Sequence, residues 1–140
     1  MAGKATAVKS GDELVRAVAS LANSLGLQVR TQVRVARRIW GAVRRIDVVL
    51  THTETRRTLG VECKFQGVIG TAEEKIPSTI QDIGAWPIRG LVVFSGEGFS
   101  PNMRSFLIAS GKAVEFLELR EWLALYFGLS ETIGPTATDP

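Results

Sequence analysis

Residues 90–95, Gly90-Leu91-Val92-Val93-Phe94-Ser95, form a short run that is apolar without alternation. That pattern marks a strand buried on both faces in the middle of a sheet. Such a strand needs other strands beside it and packed layers above and below it, and the flanking sequence offers both. Ser10-Gly11-Asp12-Glu13 opens a helix with Leu14, Val18, Leu21 and Leu25 on one stripe, and Gly26 closes it. From Leu27 the period changes to two: Leu27, Val29, Thr31, Val33 and Val35 fall on one side, with Gln28, Arg30, Gln32 and Arg34 on the other. A turn near Trp40-Gly41 leads to a second strand over 42–50, which forms a hairpin with a third over 58–65. Thr71 and Glu74 have the spacing of a capping box ahead of Ile76, Ile80 and Ile83, with Pro77 early enough in the helix to be tolerated. After the central run, Ser100-Pro101 starts a helix that Gly111 ends, 113–117 reads as a strand, and 121–129 as a last helix. The order is helix, three strands, helix, strand, helix, strand, helix. It predicts an α/β fold with a mixed central β-sheet flanked by helices, in one domain over 1–140, with a loose lead-in at 1–9 and a mobile tail at 131–140.

A content of 45% hydrophobic and 22% charged residues describes an ordinary globular chain. No apolar run approaches the roughly 18 residues of a membrane span, and the amino terminus lacks the apolar segment of a secretory signal. Cys63 is the only cysteine, which excludes an internal disulfide and argues against a cysteine-based zinc site. A cytoplasmic protein with no membrane partner is therefore expected. Net charge is only +3, but residues 30–57 hold eight arginines against Asp47 and Glu54, while 97–140 is net acidic. A local concentration of guanidinium groups suits a polyanion, since neutralising phosphates releases counterions. The alternative is a solvated strand face.

On the third strand Glu62 and Lys64 are two apart and share a face, while Val61, Cys63 and Phe65 point to the apolar side. If the second and third strands pair, Asp47 comes near Glu62. Two carboxylates side by side are unfavourable unless a cation lies between them. A hard ion such as magnesium (Mg2+) fits, because it prefers carboxylate and carbonyl oxygens and keeps some of its water; the Cys63 backbone carbonyl is a further donor. Such an ion stabilises charge on a phosphoryl oxygen and activates water, and Lys64 beside it can orient that water. These are the parts needed for phosphodiester hydrolysis. A surface ion-pair cluster is the plainer alternative for the three residues.

Arg45-Ile46-Asp47, fourteen intervening residues, and Glu62-Cys63-Lys64 resemble the signature of the PD-(D/E)XK nuclease superfamily. The resemblance covers roughly residues 8–96, including the element order, and departs from it in having Ile46 where the family name has proline. It implies a metal-dependent endonuclease with Asp47, Glu62 and Lys64 as catalytic residues, using Mg2+ with Mn2+ able to substitute. Glu13 is similar to the acidic residue that many members carry on the first helix to hold metal or water; as part of Ser10-x-x-Glu13 it also reads as a capping box. The Ser10-Gly11-x-Glu13 opening and the compact length resemble the archaeal-type Holliday junction resolvases, which implies a homodimer acting on branched, four-way DNA. Two sites at a fixed separation would make the paired nicks that a junction requires.

Arg30, Arg34, Arg37, Arg38, Arg44, Arg45 and Lys75 are the candidate DNA-binding residues. Gln66, on the face of Glu62 and Lys64 if the strand extends, is a second-tier site candidate, with solvated surface as its alternative. His52 reads as a turn residue before a general base, Cys63 as a buried hydrophobe, and Trp40, Trp86 and Trp122 as packing residues before base-stacking ones. Gly96-Glu97-Gly98 reads as a weakly specified turn. A restriction-type or host-defence nuclease, a non-catalytic DNA-binding module of the same fold, and an interaction subunit of a larger complex are the competing functions.

Overall fold

The computed structural model describes residues 10–37, 43–68 and 76–129. The lead-in, Arg38, the turn at Trp40-Gly41, the capping pair Thr71 and Glu74, Lys75 and the tail lie outside them. Within them the chain runs α1 (Gly11–Ser24), β1 (Gln28–Arg37), β2 (Val43–Thr51), β3 (Thr58–Phe65), α2 (Ile76–Ile83), β4 (Gly90–Ser95), α3 (Pro101–Ala109), β5 (Ala113–Glu115) and α4 (Leu119–Phe127). The five strands form one sheet in the order β1-β2-β3-β4-β5. β1 to β3 pair antiparallel, β3 to β5 parallel, so the sheet is mixed as predicted. The strand predicted over 113–117 is shorter, because 116–118 tighten into a 3-10 turn that leads into α4.

β4 is the centre of the packing. Leu91 and Val93 join the cluster that α1 and α4 build with Leu14, Val18, Leu119 and Leu123. Val92 and Phe94 face the other way, onto Ile83 and Trp86 and onto Ile76, Phe99 and Leu107. Burying alternate side chains in different cores is what makes the run uniformly apolar. The Trp86 indole packs closely on the neighbouring Gly60 and Gly90, where an added Cβ would stand 2.9 Å from the ring and, at Gly90, 2.8 Å from Ile83 Cβ. Glycine at both positions is thus explained by the close approach of the ring.

Two features of α1 and the first strands bear on the site. The Ser10 hydroxyl accepts from the Glu13 N–H at 3.1 Å and so caps α1, a contribution of about 1 kcal/mol. The predicted single apolar face of β1 is not kept: Val29 packs against the α1-side core, whereas Val33 and Val35 pack on the opposite side. A regular strand would hold all three on one face. The switch occurs at Gln32, whose φ of 53° lies in the left-handed region. β2 switches with it, since Val48 and Leu50 join the α1-side core and Ile46 joins the other. Between Thr31↔Val48 and Val33↔Ile46, the step that turns over contains Gln32 and Asp47.

Candidate active site

Asp47 sits at that turnover, and its carboxylate is directed neither up nor down but sideways, toward β3. The β2–β3 ladder runs to Val48↔Val61, and beyond it Asp47 Oδ2 accepts from the Cys63 N–H at 2.9 Å. A side-chain carboxylate thereby takes the place of a ladder carbonyl. It ends up beside Glu62, as the predicted hairpin required. Glu62 and Lys64 project together, with Lys64 Nζ 3.5 Å from Glu62 Oε2 and side-chain exposures of 34% for Lys64 and 23% for Glu62. Partial burial leaves both groups within reach of a ligand and reduces the screening of their charges.

Cys63, between them, faces the α1-side core and is buried. Burial pushes its thiol far above the ordinary range; the Asp47 and Glu62 carboxylates push it further, against a smaller downward pull from Lys64. Both carboxylates therefore act on one point of β3, and the thiol stays protonated and inert as a nucleophile. The donors gathered here are two carboxylates with the Cys63 carbonyl on the same strand. Among the described residues no group of three or more His, Cys, Asp or Glu side chains is placed to hold a metal. Glu13 is thus not brought into a three-acid cluster with Asp47 and Glu62; its backbone N–H is engaged in the α1 cap. A donor set of this size fits a hard ion that retains several waters, as magnesium does with one or two carboxylates, rather than a closed protein cage.

Gln66 is not on the solvated surface. It is 6% exposed, and the end of β4 and the loop after it hold it three times: its N–H donates to the Ser95 carbonyl at 3.1 Å, its carbonyl accepts from the Gly98 N–H at 2.8 Å, and its Nε2 donates to the Gly98 carbonyl at 2.9 Å. A carbonyl can only accept, so the amide orientation is fixed and leaves Oε1 as a buried acceptor without a hydrogen-bond partner. Gly96, at φ 111°, and Gly98 permit this contact, since a Cβ on either would run into the backbone of Gln66 or of Val68. Arg104 braces the same loop, donating to the Gly96 carbonyl at 3.0 Å while pairing with Glu115 at 2.9 Å. The loop is therefore closely specified. The signal for it was two glycines spaced by one residue immediately after β4.

Among the DNA-binding candidates, Arg30, Arg34 and Arg45 are exposed on β1 and β2, and Arg37 and Arg44 belong to the same strands. His52 is a turn residue: its Nδ1 accepts from the Glu54 and Thr55 N–H groups at 3.2 and 3.3 Å. Trp122 stacks on Tyr126, with ring centroids 5.2 Å apart, and so serves packing.

Gln32 offers a direct test of what aims Asp47. Gln32→Gly should be neutral or slightly stabilising, because glycine adopts the left-handed backbone without strain. Gln32→Val should cost about 1–2 kcal/mol and pull Asp47 back toward a regular strand. Thermal melts of both variants check the first part, and activity relative to stability checks the second. A valine variant as stable as the native chain would mean the kink is not needed.

A family model described as a PD-(D/E)XK nuclease superfamily domain matches residues 6–128. No curated protein matches the chain in sequence. Among solved structures, the protein VC1899 from Vibrio cholerae is similar with a TM-score of 0.60 and 15% identity, over 86% of this chain and 34% of its own. A protein of unknown function, AF1548, is similar with a TM-score of 0.50 and 18% identity, over 73% of this chain and 56% of its own. At these identities the likeness shows the fold alone, and the chain spans 34% and 56% of the length of these two proteins.

Proposed function

The chain belongs to the PD-(D/E)XK nuclease superfamily, and on that premise we propose that it is a Mg2+-dependent DNA endonuclease acting through Asp47, Glu62 and Lys64. The observation that carries this reading is the Asp47 carboxylate fixed on the Cys63 N–H beside the Glu62–Lys64 pair. Asp47, Glu62 and the Cys63 carbonyl would hold the ion, with Mn2+ able to take its place. When bound, it supplies charge stabilisation at the phosphoryl group and a water of lowered pKa. Lys64 holds its ammonium beside Glu62, where it orients the attacking water and balances charge developing on the phosphate oxygens. Asp47 has its carboxylate held in place by the Cys63 N–H it accepts, so the site is organised before substrate arrives. Glu13, at the start of α1, stands outside the pair of carboxylates proposed to hold the ion. Gln66, pinned by the Gly98 loop, holds the end of β3 in place.

The substrate that fits best is a four-way junction, cut in a reducing cytoplasm by a homodimer with a pair of nicks. Arginines on an exposed hairpin suit backbone contacts, which select by shape rather than by base sequence. No described helix is long and apolar enough to cross a membrane. The experiment compares cleavage of one junction with that of its four component duplex arms, at equal magnesium and salt. Faster cutting of the junction, with paired nicks near the crossover, is expected. Equal or faster cutting of the arms at one fixed sequence would move the function to a restriction-type or host-defence enzyme with the same active-site residues.

A further inference from the structure

The antiparallel register sets Arg34 directly opposite Arg45, and both are exposed. Side chains facing each other in this way share one face of the sheet with Cβ atoms about 4.5–5.5 Å apart, and like charges so placed destabilise the pair. Among the described residues neither guanidinium has an ion pair or hydrogen bond to offset this. Their sequence neighbours Val33 and Ile46 pack into the core on the α2 side, so the two arginines project toward the α1 side. Glu62 and Lys64 alternate with Val61 and Cys63 of the α1-side core and project the opposite way. Asp47, two residues beyond Arg45 on β2, reaches sideways between the two faces. The arginine pair is thus adjacent to the candidate active site along the chain but turned away from the Glu62–Lys64 side.

We propose that Arg34 and Arg45 act together as a clamp on a single backbone phosphate of the DNA, one other than the phosphate that is cut. This rests on the nuclease reading for the identity of the ligand. A phosphodiester has two non-bridging oxygens, and each can accept the forked donors of one guanidinium. An anion between the two arginines replaces their mutual repulsion with two attractions. A lysine pair would supply the charge but not the fork. Because the clamp faces away from Glu62 and Lys64, it sets the position of the backbone without touching the reacting group.

The test uses the full chain and a synthetic duplex, with binding followed by fluorescence anisotropy across a chloride series in EDTA, so that no cleavage intervenes. The Arg34→Gln, Arg45→Gln double variant is expected to flatten the plot of log K against log salt by about 0.9, the value for one phosphate. Each single variant should lose no more than that. A duplex carrying one neutral methylphosphonate linkage, moved step by step along the strand, should reproduce the loss at one position, and there the double variant should lose nothing further. The Arg34→Lys, Arg45→Lys variant should keep the slope with weaker affinity. An unchanged slope in the double variant overturns the clamp, and a loss of about 1.8 assigns the arginines to separate phosphates. The nuclease reading fails separately: a native chain that binds with the expected slope but cuts no DNA in magnesium would retain the clamp and lose the enzyme.

Discussion

Replacing Glu62 by Gln is expected to lower cleavage about a hundredfold to a thousandfold while leaving the fold and metal-free DNA binding in place, since losing one preorganised charge-stabilising group costs about 10²–10³-fold. The substitution keeps the side chain's size at a position that is only partly buried, so no core contact is lost. What disappears is one of the two charges that gather at Cys63. Asp47→Asn should have the same effect for a related reason. An asparagine carbonyl can still accept from the Cys63 N–H, so the end of the β2–β3 ladder survives while the charge does not. Lys64→Ala should remove most of the rate and leave metal affinity unimpaired. Single-turnover cleavage, a thermal melt and metal titration of each purified variant separate these cases. Native-like turnover in either carboxylate variant would return Asp47 and Glu62 to the status of a surface cluster.

Gly96→Ala is expected to be the most damaging single methyl group at any described glycine. The residue's φ of 111° is strained for any L side chain, and the new Cβ would meet the Gln66 carbonyl, which is backbone and cannot swing aside. Strain of roughly 1–2 kcal/mol and overpacking of roughly 1–3 kcal/mol together suggest a loss of about 3 kcal/mol, or a Tm lower by about 10 °C. Activity should fall further than stability explains, because the contact that breaks holds Gln66 at the end of the strand carrying Glu62 and Lys64. Gly11→Ala is the control: nothing lies within 4 Å of its added Cβ, and that variant should melt at or above the native temperature. Equal melting of the two variants would mean the Gly96 loop can move away without cost.

Much of the architecture can be read from periodicity because periodicity reports burial. The β4 run is apolar throughout because its two faces enter different cores, and the α1 stripe ends where Gly26 adopts a left-handed φ. The proximity of Asp47 and Glu62 also follows, because a hairpin fixes its own register. Other features escape the pattern. The face switch at Gln32 depends on the sign of one dihedral angle, and an alternating run of valines looks the same with or without it. The burial of Gln66 depends on a loop some thirty residues later in the chain (Gly98), which no local window contains. Gly96 and Gly98 are in plain view as letters, yet their necessity lies in what touches them.

The long strand at the sheet's margin has a further consequence, for how copies of the chain meet. Among the described residues β1 pairs only on its β2 side, so its ten residues form the margin of the sheet, where a strand from another molecule could add edge to edge. Exposed Arg30 and Arg34 repel such a strand only while their charges are free. On a polyanion that protection is neutralised, at the moment when several copies could crowd together. The left-handed residue at Gln32 and the register shift between Arg34 and Arg37 remain. They break the flat template that a foreign strand would need, so the same kink that turns Asp47 toward β3 keeps the edge solitary when its charge no longer can.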